Sequence, residues 1–204
     1  MVMSPEKIKQ LIKSNFAVRS QPMISNIIQV EGGRAIIHSK CHIIQGTKFY
    51  SGRLPVLFKS VYGDFIIRAC GLSTLEGCPT VVEGNFNCSS NELTNMIGGP
   101  EEVESDYICI SNPLTSLEGL PKIAGCFRIN IDANIPLLRL IVVPYSFIFV
   151  RRNLDGTTFN PIDIEQILTK YQSKVKDKYM TRKAAVISCQ KELIDNGFTG
   201  NASW

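Results

Sequence analysis

Apolar and polar positions alternate in one phrase that recurs three times between Phe65 and Leu117. Phe86 and Cys88, then Asn91, Leu93 and Met96, are matched by Tyr107 and Cys109, then Asn112, Leu114 and Leu117. Ahead of them stand Phe65 and Ile67, then Cys70, Leu72 and Leu75. Leu72, Leu93 and Leu114 are spaced by 21 residues, as are Pro79, Pro100 and Pro121, each closing a Gly-x-Pro turn. A fixed step of this length predicts a solenoid. The two leading apolar residues of each phrase point inward from one short strand. The Asn that follows, or Cys70 in its place, is expected to turn inward and bond the backbone of neighbouring turns. A fourth rung follows at Phe127, Ile129, Asp132 and Leu137, with Asn134 where leucine is expected. A more degraded fifth follows at Phe147, Phe149, Arg152 and Leu154. The segments between these strands are too short for full helices and are expected to be loops or single turns.

The flanks carry other periods. Ser4-Pro5-Glu6 starts a helix, with Ser4 as cap and Pro5 at the first position. Ile8, Leu11, Ile12 and Phe16 form its buried stripe. From Met23 to Tyr62 the pattern turns to short strands, with a hairpin at Gly32-Gly33 and turns at Gly46 and Gly52. Strands are expected at His42 to Ile44, Lys48 to Tyr50 and Val56 to Tyr62, as a β-meander covering the first rung. At the other end Asn160-Pro161 opens a helix carrying Ile164, Ile167, Leu168, Tyr171 and Val175. A second begins near Thr181 and ends at Asn196-Gly197-Phe198. The expected architecture is an α+β repeat: a short β-solenoid over 63–156, a helix and β-meander cap over 1–62, and an αα-hairpin over 157–204.

The repeats resemble the leucine-rich repeat, whose phrase they match in three rungs. The wording Leu-Thr-Ser-Leu-Glu-Gly-Leu-Pro at Leu114 to Pro121 is similar to short repeat proteins of tailed, T4-like bacteriophages. Phe65, Phe86, Tyr107 and Phe127 stand where that family has leucine, so the inner column here is broader. The resemblance implies a small accessory protein acting in an infected bacterium, whose task is to bind and neutralise a host defence protein. An ADP-ribosyltransferase toxin acting on DNA is one such target.

Composition limits the alternatives. The chain has 204 residues, 44% of them hydrophobic, enough for a real core. Its net charge of +4 implies nucleic acid only where the cations cluster. Seven cysteines cannot all pair within the chain, and reduced thiols fit a cytoplasmic setting. The charged N-terminus does not read as a signal peptide, and the greasiest run, Leu137 to Val150, is broken by Arg139 and Pro144. His38, Cys41 and His42 are the one cluster with ligand chemistry, but the spacing does not suit a zinc site. No phosphate-loop, dinucleotide or metalloprotease motif is present. The expectation is a non-catalytic protein with no metal and no cofactor.

Two surfaces remain. Lys170, Lys174, Lys176, Lys178, Arg182 and Lys183, with Tyr171 and Tyr179 between them, form either a solvated helix face or a nucleic-acid site. On the repeat sheet, Ile66, Asn87, Ile108 and Arg128 form one outward column, with Ile148 as its continuation. Arg68, Ser89, Ile110 and Asn130 form the next, with Val150. The isoleucines are apolar where a plain scaffold is polar, so either the terminal helices cover this face or a host or phage protein does. The eight residues from Ile66 to Asn130 are the candidate protein-binding site.

Overall fold

The computed structural model describes residues 3–19, 27–130, 135–150 and 161–204. Helix α1 (Pro5–Asn15) begins where Ser4 Oγ accepts the Lys7 N–H, and it buries Ile8 and Ile12. It leads directly into β1 (Phe16–Val18). The hairpin β2 (Ile28–Glu31) and β3 (Arg34–Ile37) turns at Gly32 and Gly33, both at positive φ. There follow β4 (Cys41–Ile43), β5 (Leu57–Val61), β6 (Phe65–Ile66), β7 (Val81–Val82) and β8 (Phe86–Asn87). The remaining strands are β9 (Glu102–Val103), β10 (Asp106–Ile108), β11 (Cys126–Ile129) and β12 (Ser146–Phe149). Helices α2 (Pro161–Lys176) and α3 (Arg182–Asp195) form a hairpin at the C-terminal end.

The strands make two sheets, in the orders β1-β4-β6-β8-β10-β11-β12 and β2-β3-β5-β7-β9. All pairs are parallel except β1 with β4 and β2 with β3. The chain therefore winds as a β-solenoid of about five turns, with the strands from β3 to β10 falling in the two sheets alternately. Three expectations change. Arg34 to Val61 is not a meander: β3 pairs in parallel with β5, and β4 with β6, so these residues already belong to the winding. Lys48 to Tyr50 is not a strand. The segments expected as plain loops include β7 and β9, two-residue strands that build the second sheet.

The core lies between the sheets. Phe65, Phe86, Tyr107, Phe127 and Phe147 stack in register, Cys41 and Val18 extend that register to the first turn, and the Phe16 ring stacks on Phe65 at 6.2 Å. Ring centroids lie 6.1 Å apart for Phe65 and Phe86, 4.7 Å for Phe86 and Tyr107, and 5.6 Å for Tyr107 and Phe127. These are offset or edge-on contacts, the arrangements aromatic quadrupoles favour. Cys41, Cys70, Cys78, Cys88, Cys109 and Cys189 are buried and unpaired, and Cys126 is half-buried. Burial pushes the Cys70 thiol up to about 11 and the Cys189 thiol up to about 12, so both stay protonated.

Each corner after the longer sheet repeats a backbone feature at the same step. Ala69, Ser90 and Ser111 have φ of 55°, 58° and 56°. The Asn ladder sits beside them. Asn91 and Asn112 are buried, and each bonds two successive turns. Asp132, Asn134, Arg152 and Leu154, named as rung residues, lie outside the described residues, as do Met23 and Asn160.

Both ends are closed. At the start, antiparallel β1 and β2 cover one edge of each sheet, with α1 packed beside them. At the finish, α2 packs on β12 and on the 3-10 turn Leu138–Val142. Glu165 Oε2 accepts the Phe149 N–H at 3.1 Å, on the side of β12 that has no strand partner. Gln172 is buried, and its Nε2 donates to the carbonyls of Leu140, Val143 and Tyr145 at 3.2, 3.1 and 2.9 Å. Two side chains of one helix thus satisfy backbone groups that a further turn of solenoid would otherwise take.

Candidate protein-binding surface

The outward column of the longer sheet is continuous. Strand register places Ala17 beside His42, then Ile66, Asn87, Ile108, Arg128 and Ile148 in succession. At about 4.8 Å per strand this ladder runs on the order of 30 Å. Ile66, Asn87, Ile108 and Arg128 are half-buried, and Ile148 is 37% exposed. His42 and Ala17 extend the column at a point where the step is 24 residues rather than 21, which hid them in the sequence. Ile44, two residues past His42, is also 40% exposed.

The second column is less open than its pattern implied. Arg68 is exposed and Ile110 half-buried, but Ser89 is 2% exposed and Asn130 is 7% exposed. Asn130 Oδ1 accepts the Ser111 N–H, and its Nδ2 donates to the Val150 carbonyl at 2.6 Å. It serves the backbone of the turns on both sides, as Asn91 and Asn112 do, so it is not a surface contact. The reason is local: the corner leaves main-chain groups without strand partners, and a short amide satisfies them. Ser89 packs inside the same corner, its N–H held by Asn87 Oδ1 at 3.0 Å.

The polar residues around the isoleucines are held in place. Arg128 Nε donates to Asp106 Oδ2 at 2.7 Å. Asp106 N–H is accepted by Asn85 Oδ1, and Asn85 in turn donates its N–H and side-chain amide to Asp64 Oδ1. Lys40 Nζ lies 2.8 Å from Asp64 Oδ2. Burial raises the Asp64 carboxyl, but the Lys40 and Asn85 contacts outweigh it and hold the group below the usual carboxylate range. This chain of bonds runs along one margin of the face, from the first turn to Arg128.

The α2–α3 hairpin packs on the 3-10 turn and β12, at the end of the stack. Among the described residues, neither helix packs broadly on the strands that carry Ile66 and Ile108.

Other candidates separate. His38 follows β3 in one sheet and His42 lies in β4 of the other, so the chain corner divides them. The His38 ring stacks on Tyr62 at 4.9 Å. No group of three or more His, Cys, Asp or Glu among the described residues is placed to hold a metal ion. Among the described residues no helix is long and apolar enough to cross a membrane. The basic run divides: Lys170 bonds Glu192 and Lys174 lies over the Tyr171 ring at 4.9 Å, whereas Lys176, Lys178, Arg182 and Lys183 pair with no acid among the described residues. No protein-family model, curated protein or solved structure matches this chain.

Proposed function

We propose that the protein is a non-catalytic binding module whose longer sheet takes one protein partner on its outer face. The observation that carries this reading is the in-register ladder in which Ile66, Ile108 and Ile148 recur on one face, with no described helix packed broadly on the strands of Ile66 and Ile108. Isolated exposed apolar residues need no explanation, but an aligned series on one rigid sheet has the form of an interface centre. Arg68, Asn87 and Arg128 supply the polar contacts, Arg128 held by Asp106 and Asn87 by the Ser89 N–H. Ile110 belongs to the same centre, whereas Ser89 and Asn130 support the backbone beneath it. The leucine-rich-repeat resemblance adds the setting: a phage accessory protein in the host cytoplasm that neutralises a defence protein, a DNA ADP-ribosyltransferase toxin being one partner of that kind.

The test is an affinity capture from host cytoplasm that compares the natural chain with Ile108→Asp/Ile110→Asp. Both positions are half-buried on the outer side, so circular dichroism should show the variant folded. The partner should be lost from the variant. Recovery at full yield would place the interface elsewhere.

A second reading rests on the unpaired cations of the helical hairpin, which suit a nucleic-acid backbone. Such binding would weaken steeply with salt, whereas the sheet interface would not.

A further inference from the structure

A groove of about 440 Å³ lies between the 3-10 turn and the α2–α3 connection, and it is independent of the sheet face. Its floor is aliphatic: Ile141, Val142, Val143 and Pro144 on one wall, Val175 and Met180 on the other. Its rim is basic, with Lys176, Lys178 and Arg182 exposed and paired with no acid among the described residues. Lys183 follows on the same connection, and Asp177 is the one carboxylate between Lys174 and Lys183. The connection is held in a fixed shape. Lys178 adopts φ of 59°, its N–H bonds the Val175 carbonyl at 3.3 Å, and Met180 N–H bonds the Lys174 carbonyl at 3.2 Å. A left-handed lysine costs about 1 kcal/mol relative to ordinary backbone. Where such a residue persists beside a groove, it fixes the direction of the side chain it carries. Thr181 caps α3 through the Ala184 N–H, so the positive end of that helix also faces the groove.

We infer that this groove binds an acidic peptide segment of a partner protein, seating one or two large apolar side chains on the aliphatic floor while its carboxylates meet Lys176, Lys178 and Arg182. Charge complementarity selects the acidic flanks, and the floor selects the apolar centre. Single-stranded nucleic acid fits less well, because sites of that kind present aromatic platforms where this floor presents valine, isoleucine and proline.

Fluorescence anisotropy decides the matter. The probe is a labelled ten-residue peptide with a central leucine–phenylalanine pair flanked on each side by aspartates and glutamates, titrated at physiological salt. Saturable binding is expected, and Lys176→Glu/Arg182→Glu should weaken it by about tenfold or more. Both substitutions lie on exposed helix positions, and helical circular dichroism checks that the hairpin persists. Replacing the leucine–phenylalanine pair with two serines should weaken binding as much. Equal binding by the charge-reversed variant, or by the serine peptide, overturns the inference. So does tighter binding of an oligothymidylate of equal charge, which assigns the groove to nucleic acid, or of phosphatidylserine vesicles, which assigns it to a lipid surface. Ile108→Asp/Ile110→Asp should bind the peptide normally. Loss of the peptide in that variant would move it to the sheet and overturn the groove, whereas loss of the sheet partner alone leaves the groove standing.

Discussion

Asn91 Oδ1 accepts the Cys70 N–H at 3.0 Å, across the boundary between two successive turns of the solenoid. The same oxygen takes the Leu72 N–H at 3.1 Å, and the amide nitrogen donates to the Ile67 and Cys88 carbonyls at 2.8 and 2.9 Å. One buried side chain therefore bonds four main-chain groups, and it is the acceptor for both N–H groups. Asn91→Ala should leave the Cys70 and Leu72 N–H groups unpaired away from water, while the Cys88 carbonyl keeps Asn112 Nδ2 and the Ile67 carbonyl keeps Cys70 Sγ. At roughly 1–3 kcal/mol for each orphaned group, the loss should reach at least about 2 kcal/mol. Urea unfolding followed by circular dichroism measures it. A loss below 1 kcal/mol would mean that water replaces the amide.

The Gly-x-Pro turns should not tolerate alanine equally. Gly77, Gly98 and Gly119 all have positive φ, at 94°, 84° and 82°. A Cβ on Gly119 would overlap the backbone of Met96 and Ile97, one on Gly98 would lie 3.0 Å from Glu76 N, and one on Gly77 would lie 3.2 Å from the Val56 carbonyl. Backbone cannot give way as a side chain can. Gly119→Ala should be the most destabilising of the three, by more than about 2 kcal/mol, and Gly77→Ala the least. Thermal unfolding of the three single variants gives the order.

Thiol chemistry should single out one residue. Six of the seven cysteines are buried, and Cys126 alone is half-buried. A thiol-reactive dye added to the folded protein should modify one group quickly and the others only on unfolding. Cys126→Ser should abolish the fast phase. Rapid labelling of several cysteines would contradict the packing of the inner column.

Acid should loosen both ends of the molecule. The Asp64 carboxyl is held below its ordinary range by Lys40 and Asn85, against the opposing pull of burial. Lys170 Nζ and the Tyr171 hydroxyl, each 2.7 Å from Glu192 Oε2, hold that carboxyl down as well. A group depressed on folding stabilises the folded state at all pH above its unfolded value, and that gain disappears as pH falls through the folded value. Stability should therefore be flat near neutrality and fall from about pH 4 downward. Asp64→Asn should make the fall shallower, as melting temperatures between pH 7 and pH 3 would record.

The central turns were legible because Phe65, Phe86 and Tyr107 keep one spacing and alternate with outward residues. The earlier turns were not, because Cys41 pairs with Phe65 across 24 residues, the added length being taken up before Gly52, where the 21-residue step is restored by the bond from Ser73 N–H to the Gly52 carbonyl. The second sheet was hidden for another reason. Val81–Val82 and Glu102–Val103 are two residues long, too short for an alternation to register. The outer column of the candidate site was readable from the same period. The burial of Ser89 and Asn130 was not, because alternation assigns a side and says nothing about a corner that draws a polar residue inward.

The closed ends carry a consequence for evolution and engineering. Antiparallel strands cap one end, and Glu165 and Gln172 of α2 cap the other, while the stack between them is held by contacts that each turn makes only with its neighbours. The middle is therefore free to vary in number while the ends stay the same. A duplicate of 85–105, spliced in after Ser105, should fold as one more storey and move the two caps apart by about 4.8 Å. In such a molecule, reach is an adjustable quantity, set in increments of one strand by how many copies of the unit the gene contains.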